Sequence, residues 1–231
     1  MEALVLASAL IVINSIFSLI PKALYSILYI PVNLLITLIL FFYVRIMFGL
    51  SCSDIGLGAV FSNNGVIYGI IVGLVVAAIL FVGINLLRIN IPFFSSYEAD
   101  ANNIGDLFYR LLLKIPFGTV LLEEFAFRGL LISLLFSYGL GSNQCVLISS
   151  AIFGLWHIGF ILRTVPRVQL FKVKGIITAF GILVIGFIGG LIFGFLRIKT
   201  DNLLSPILVH WIINVSTLII MFHYRKKVMP Q

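Results

Sequence analysis

Long apolar runs separated by short polar or turn-forming stretches make up almost the whole chain. Ala3–Ile20 is the first run, and Pro21-Lys22 ends it. Leu24–Leu50 is the second, with Pro31 inside as a kink and Arg45 near its end, where a long cationic side chain reaches the headgroups. Ser51–Gly65 is polar, rich in Gly and Asn, and reads as an interfacial linker. Val66–Leu87 is the third run, and Arg88–Ile104, with Pro92, Glu98 and Asp100, reads as a loop. Gly105–Ser137 is one helical stretch containing Pro116, about 48 Å long if unbroken. That exceeds a bilayer core, so the part marked by Arg110 and Lys114 belongs in the interface. Tyr138–Ser142 is a turn. Asn143–Leu162, Gly175–Ile198 and Leu203–Phe222 complete a set of seven hydrophobic helices. Between them lie a basic loop, Arg163–Lys174, and a turn, Lys199–Asn202.

Composition agrees with this pattern. The chain is 61% hydrophobic and 10% charged, with a mean hydropathy of +1.22. Soluble domains run at about 45–50% apolar and about 25% charged. Backbone exposed to lipid must satisfy its own hydrogen bonds. The expectation is therefore an all-α, polytopic transmembrane helical bundle of about seven spans, with an active-site cavity between helices. Residues 1–231 read as a single multi-pass domain of the cell membrane, in contact with the lipid bilayer. Within it, 1–104 supply N-terminal helices and 105–222 a catalytic core. The N-terminus lacks a basic n-region and a cleavage site, so the first run reads as a retained helix.

The net charge of +7 is scattered over loops and the C-terminus, which fits a positive-inside bias and speaks against nucleic acid as a partner. With the loop at 163–174 and the basic C-terminus in the cytoplasm, an odd helix count puts the N-terminus outside. This orientation places His157 and His210 about 10 Å apart in depth, which tilt, a re-entrant start to the last helix or a miscounted span must close. Cys52 and Cys145 are isolated, so a disulfide framework or thiolate metal site is not expected.

Charge inside the apolar runs is sparse, and its placement is informative. Leu121-Leu-Glu-Glu-Phe-Ala-Phe-Arg-Gly-Leu130 carries two carboxylates and a guanidinium. On a helix Glu124 and Arg128 share a face, and Glu123 is rotated by roughly 100° from Glu124. Burying both carboxylates costs several kcal/mol, on the order of the desolvation penalty per ion, unless each finds a partner. Arg128 serves Glu124, so Glu123 needs a partner from elsewhere in the chain. Ionisable residues within membrane helices are functional candidates. His157 lies four residues after Phe153, and His210 four before Asn214, so each pair shares a face.

The order Glu-Glu-x-x-x-Arg, Phe-x-x-x-His, His-x-x-x-Asn on successive hydrophobic segments resembles the CPBP family. These are the CAAX prenyl endopeptidases and the bacteriocin-processing or self-immunity membrane proteases, also called the Abi family. The match falls on Glu123, Glu124 and Arg128, on Phe153 and His157, and on His210 and Asn214. Phe-Arg-Gly after the glutamates and Gly-Leu-Ile-Phe-Gly-Phe-Leu-Arg before the last motif fit it too, and the resemblance covers about 105–222. It implies an intramembrane endopeptidase acting on a peptide or membrane-protein substrate. Peptide maturation or bacteriocin self-immunity is the setting implied.

The chemistry can also be argued from the residues. Hydrolysis needs an activated water, a base and oxyanion stabilisation. Removal from water makes a carboxylate a stronger base, which suits Glu123 to that role. Glu124 and Arg128 form the orienting pair, which also reads as a structural pin between helices. His157, His210 and Asn214 hold water and oxyanion, and Phe153 is a wall of the substrate pocket. Glu123, His157 and His210 also make a plausible set for a divalent metal such as zinc. One glutamate cannot be both tight ligand and free base, so metal and metal-free mechanisms stand equally open. The alternative function is a non-catalytic immunity or scaffold protein of the same fold. A transporter is disfavoured because paired broken helices in corresponding halves are not evident.

Overall fold

The computed structural model describes residues 2–58, 63–85, 101 and 103–228. Most of the expected loop at 88–104, with Pro92, Glu98 and Asp100, lies outside the described residues. So do positions 59–62 of the linker and the side chains of the basic C-terminus from Tyr224 onward.

All regular structure among the described residues is helical. The helices are α1 (Glu2–Ser18), α2 (Lys22–Phe48) and α3 (Asn63–Asn85). A continuous helical stretch over 104–137 is α4. It is followed by α5 (Ser142–Trp156), α6 (Ile158–Thr164), the short α7 (Arg167–Leu170), α8 (Val173–Thr200) and α9 (Leu204–Val228). Among the described residues, five segments are long and apolar enough to cross a membrane: Lys22–Phe48, Asn64–Gly83, Ser142–Thr164, Val173–Thr200 and Leu204–His223. By that measure the expected seven spans become five. The apolar part of α1, Val5–Ser18, is shorter, and α4 carries Glu123, Glu124 and Arg128 within its apolar half.

The second half of α4 is the centre of the fold. Residues 122–135 are all buried, as expected of a helix covered on every side. Phe125, Phe127, Leu130, Ile132 and Leu134 form one core with Leu40 and Val44 of α2, Val146 and Phe153 of α5, Phe193 of α8 and Val209 of α9. The outer helices are one-sided. Ile27, Leu38 and Ile46 of α2, Leu74 and Ile79 of α3, and Ile177 and Phe180 of α8 point outward. Such faces suit lipid.

Much of α4 is not ordinary α-helix. Arg110–Val120 and Phe125–Leu131 are wound as π-helix. Pro116 gives one reason, because in an α-helix its ring would clash with the Leu112 carbonyl four residues back. In a π-helix the Leu111 carbonyl would face the N–H five residues on, which proline lacks. The Trp211 indole N–H of α9 donates to that carbonyl instead, at 3.0 Å. Asn33 of α2 donates to the Gly118 carbonyl, and Ser149 of α5 to the Phe127 carbonyl at 2.9 Å. Side chains of three neighbouring helices thus take up backbone groups of α4.

One end of the bundle is closed by the chain between α2 and α3. Arg197 of α8 is buried, donating to the Asp54 carbonyl at 2.9 Å and pairing with Asp201 at 2.7 Å. The Leu203 N–H donates to the Gly56 carbonyl, and Asn202, Leu203 and Ser205 are buried beneath this cover. The start of α9 is therefore enclosed by protein. The Ser51 hydroxyl and N–H hold the Asp54 carboxyl below the usual carboxylate range.

Candidate active site

At the other end, a cavity of about 160 Å³ runs down between α1, α2, α4, α5, α6 and α9. Glu123, His157, His210 and Asn214 all line it. Three helices, far apart in sequence, bring these side chains together. Both histidines reach this one cavity, and α5 breaks beside the first of them. Trp156 ends it, His157 turns (φ −72, ψ −1), and α6 begins at Ile158. The span expected over 143–162 is present as Ser142–Thr164, with a one-residue interruption at His157. Its break leaves the Trp156 carbonyl to accept from Asn14 of α1, at 3.1 Å.

The two glutamates take different partners. Glu124 is fully buried and pairs with Arg128 at 3.1 Å, on the shared face expected from the sequence. The same Oε1 accepts from His210 Nδ1 at 2.7 Å. Arg128 lies over the Phe153 ring at 4.1 Å and the Phe193 ring at 5.0 Å, so its charge rests on π faces as well as on the carboxylate. Glu123 accepts from the Trp156 indole at 2.9 Å, and its Oε2 stands 3.8 Å from His210 Nε2. His210 therefore touches one glutamate and faces the other.

Hydrogen bonds fix both imidazole tautomers. Carboxylate and carbonyl oxygens only accept, so His210 Nδ1–H donates to Glu124 and His157 Nδ1–H to the Phe153 carbonyl at 2.9 Å. Each ring's Nε2 is left for other work. Metal-binding histidines are commonly held in this way. Yet no three His, Cys, Asp or Glu side chains among the described residues are grouped so as to hold a metal ion. The expected zinc set of Glu123, His157 and His210 does not fit as arranged. Glu123 and His210 instead stand at a separation that one bridging water spans.

Phe153 is not among the cavity-lining residues, contrary to its expected place in the substrate pocket. It is buried behind the site. There it meets the rings of His157 at 4.9 Å and His210 at 6.1 Å edge-on, with Arg128 on its face. Its size and apolarity set the positions of the histidines from behind. Glu124 and Arg128 also lie behind the cavity wall.

Sequence reasoning missed Trp156, although it is next to His157 and its N–H must find a partner when buried. It also missed Asn14, Tyr29 and Asn33, which line the cavity from α1 and α2. Asn14 and Asn33 carried a signal, being polar residues inside apolar helices.

Residues 105–216 match the family model described as type II CAAX prenyl endopeptidase Rce1-like, and this part of the chain is a domain of that family. The match begins one residue into α4 and ends within α9, so it holds all seven motif residues. It leaves α1, α2 and α3 outside. No curated protein and no solved structure matches the chain.

Proposed function

We propose that the CAAX prenyl endopeptidase-type domain carried over residues 105–216 makes this chain an intramembrane endopeptidase that hydrolyses a peptide bond with a glutamate-activated water. The observation that supports this most is the convergence of Glu123, His157, His210 and Asn214, from three helices, on one cavity. In this reading α1 and α4 are membrane helices too, giving the seven-span count. Ser18, Tyr25, Arg110, Lys114 and Arg163 line the cavity near the ends of their helices. The positive-inside rule then turns those helix ends toward the cytoplasm.

Water sits between Glu123 Oε2 and the two Nε2 atoms. Glu123 takes its proton as the water attacks the peptide carbonyl, and gives that proton to the leaving amine. The oxyanion receives the Asn214 amide N–H, while the Nε2 lone pairs of the neutral imidazoles accept from the water and position it. Trp156 keeps Glu123 oriented. The Glu124–Arg128 pair keeps the His210 ring in place, with Nδ1 occupied and Nε2 forward. The substrate is a membrane-associated protein or peptide, and peptide maturation or self-immunity is the proposed setting.

The test is a comparison of protein termini by mass spectrometry in host cells carrying the parent chain or Glu123→Gln at matched expression. A terminus seen only with the parent supports hydrolysis and identifies the substrate. Identical termini, with any immunity phenotype kept by the variant, transfer the chain to the binding or scaffold reading.

A further inference from the structure

The hydrolytic mechanism leaves two of the cavity-lining amides unused. Asn14 comes from α1 and Asn33 from α2, both outside the matched domain. Asn14 Nδ2–H donates to the Trp156 carbonyl at 3.1 Å, and Asn33 Nδ2–H donates to the Gly118 carbonyl. A carbonyl only accepts, so these bonds fix which end of each amide is the nitrogen. Both carbonyls belong to irregular winding, one at the break before His157 and one in the π turns of α4. Asn14 is also pinned where α1 crosses α6, since a Cβ at Gly159 would come within 2.7 Å of its Nδ2. Each amide is thus held by its nitrogen, and its oxygen is left over. No donor among the described residues meets Oδ1 of Asn14 or of Asn33. The buried side-chain atoms without a partner are elsewhere, on Glu124, Arg128, Arg197 and Ser205. The two Oδ1 atoms are therefore open acceptors, and the space their side chains line is the cavity.

We infer that these two oxygens accept backbone N–H groups of the substrate, two residues apart on one edge of an extended chain. The inference rests on the hydrolytic reading for calling the ligand a substrate, but not for the binding itself. The spacing fits. Asn14 holds the carbonyl of Trp156, the residue whose indole holds Glu123. Asn33 holds the carbonyl of Gly118, five residues before Glu123 on α4 and at most about 7.5 Å from it at the α-helical rise. Alternate N–H groups of an extended chain are about 6.6–6.8 Å apart. The chemistry fits as well. A peptide in a membrane helix bonds its N–H groups within the helix, and they need new acceptors once it is drawn out for cleavage. Left unpaired between helices, they would oppose that unwinding. Fixed amide oxygens read the backbone and not the side chains, so peptides of differing sequence are accepted. The domain at 105–216 then supplies the chemistry, while α1 and α2 hold the chain to be cut.

The test is binding, read by fluorescence anisotropy on the full chain carrying Glu123→Gln in phosphatidylcholine nanodiscs, with empty nanodiscs subtracted. The probes are labelled octapeptides of one non-repeating apolar sequence. One is unmodified, and each of the others has a single backbone N–H replaced by N-methyl. The inference expects two sensitive positions, two residues apart, each costing about three- to tenfold in affinity, the scale of one neutral hydrogen bond. Added Asn14→Leu should weaken the unmodified peptide by a similar factor and abolish the loss at one of these positions. Asn33→Leu should do the same at the other. Uniform sensitivity along the peptide overturns the inference, as do sensitive positions that both variants retain. No saturable binding of the unmodified peptide overturns it too. The methyl scan needs no change at either asparagine, so it decides the matter if Asn33→Leu unfolds by leaving the Gly118 carbonyl unpaired. The two readings also fail separately. Cleavage by the parent chain without this pattern refutes the backbone contacts alone, and the pattern without cleavage refutes hydrolysis alone.

Discussion

Glu123 and Glu124 are neighbours with the same side chain, yet they stand on opposite sides of a wall. Behind it, Glu124 is sealed with Arg128 among Phe127, Phe153 and Phe193, and its polar partners are a guanidinium and the His210 ring. In front of it, Glu123 meets a cavity, with Trp156 fixing one oxygen and the other left toward His210. A helix rotation of one residue therefore divides two roles. The sealed side gives up water and gains position. The open side keeps water and is able to react.

The contrast fails first if Glu123→Gln is harmless. Its glutamine oxygen still accepts from Trp156, so the fold is expected to hold while turnover drops by about 10²–10⁴, the size of a lost general base. Cleavage of the natural substrate, with unfolding followed in parallel, checks both halves. On the sealed side the expectation reverses. Arg128→Met leaves Glu124 as a buried charge facing an apolar side chain and costs about 3–5 kcal/mol of stability. Chemical unfolding in mixed micelles measures it. Adding Glu124→Gln should return much of the loss, because both charges are then gone. A double variant no more stable than Arg128→Met alone would show that position, not charge, is what the pair provides.

How far the sequence showed this division can be judged residue by residue. Apolar runs of membrane length located the helices, because burial in lipid leaves little freedom in composition. The four-residue spacing of Glu124 and Arg128 gave their pairing, because a helix face is set by local geometry. The residues that converge from different helices were named, but their contacts were not. That His210 bonds Glu124 rather than Glu123 depends on how α9 packs against α4, and no local pattern encodes it. The π winding of α4 was hidden for a similar reason, since Trp211, Asn33 and Ser149 act on it from other helices. Phe153 was misplaced because periodicity gives a face and not what lies on it. The break at His157 was invisible in a run with no proline, because Gly154, His157 and Gly159 do not by themselves end a helix.

A smaller effect tests how closely position matters on the open side. Gly186 of α8 lies against His157, and a Cβ there would come within 2.9 Å of Nδ1 and 3.1 Å of Cε1. Gly186→Ala must therefore shift the ring that Phe153 holds. Turnover is expected to fall about 10–100-fold through misplacement, with KM and stability little changed. Gly190→Ala, one turn along the same face, is the comparison. Its Cβ would meet the Ser150 backbone at 2.9 Å, pushing α8 from α5 and costing stability with little selective effect on turnover. Two alanines that lose stability alike and turnover alike would show that α8 supports the bundle without positioning His157.

The finest test is Trp156→Phe, which removes one N–H from Glu123. The ring's edge-on contact with Phe127, 5.6 Å between centroids, remains open to phenylalanine, so the fold should persist. One net hydrogen bond is worth about 0.5–1.5 kcal/mol, and on turnover that is roughly a two- to tenfold loss. Single-turnover cleavage, with substrate binding measured separately, reads it. A loss in this range, confined to the chemical step, places Trp156 as an orienting donor. No loss at all would mean that His210 alone is enough to hold Glu123 across their 3.8 Å gap. A loss as large as that of Glu123→Gln would show that the indole N–H stabilises charge on the reacting atoms. Trp156 would then belong with the catalytic residues rather than with those that position them.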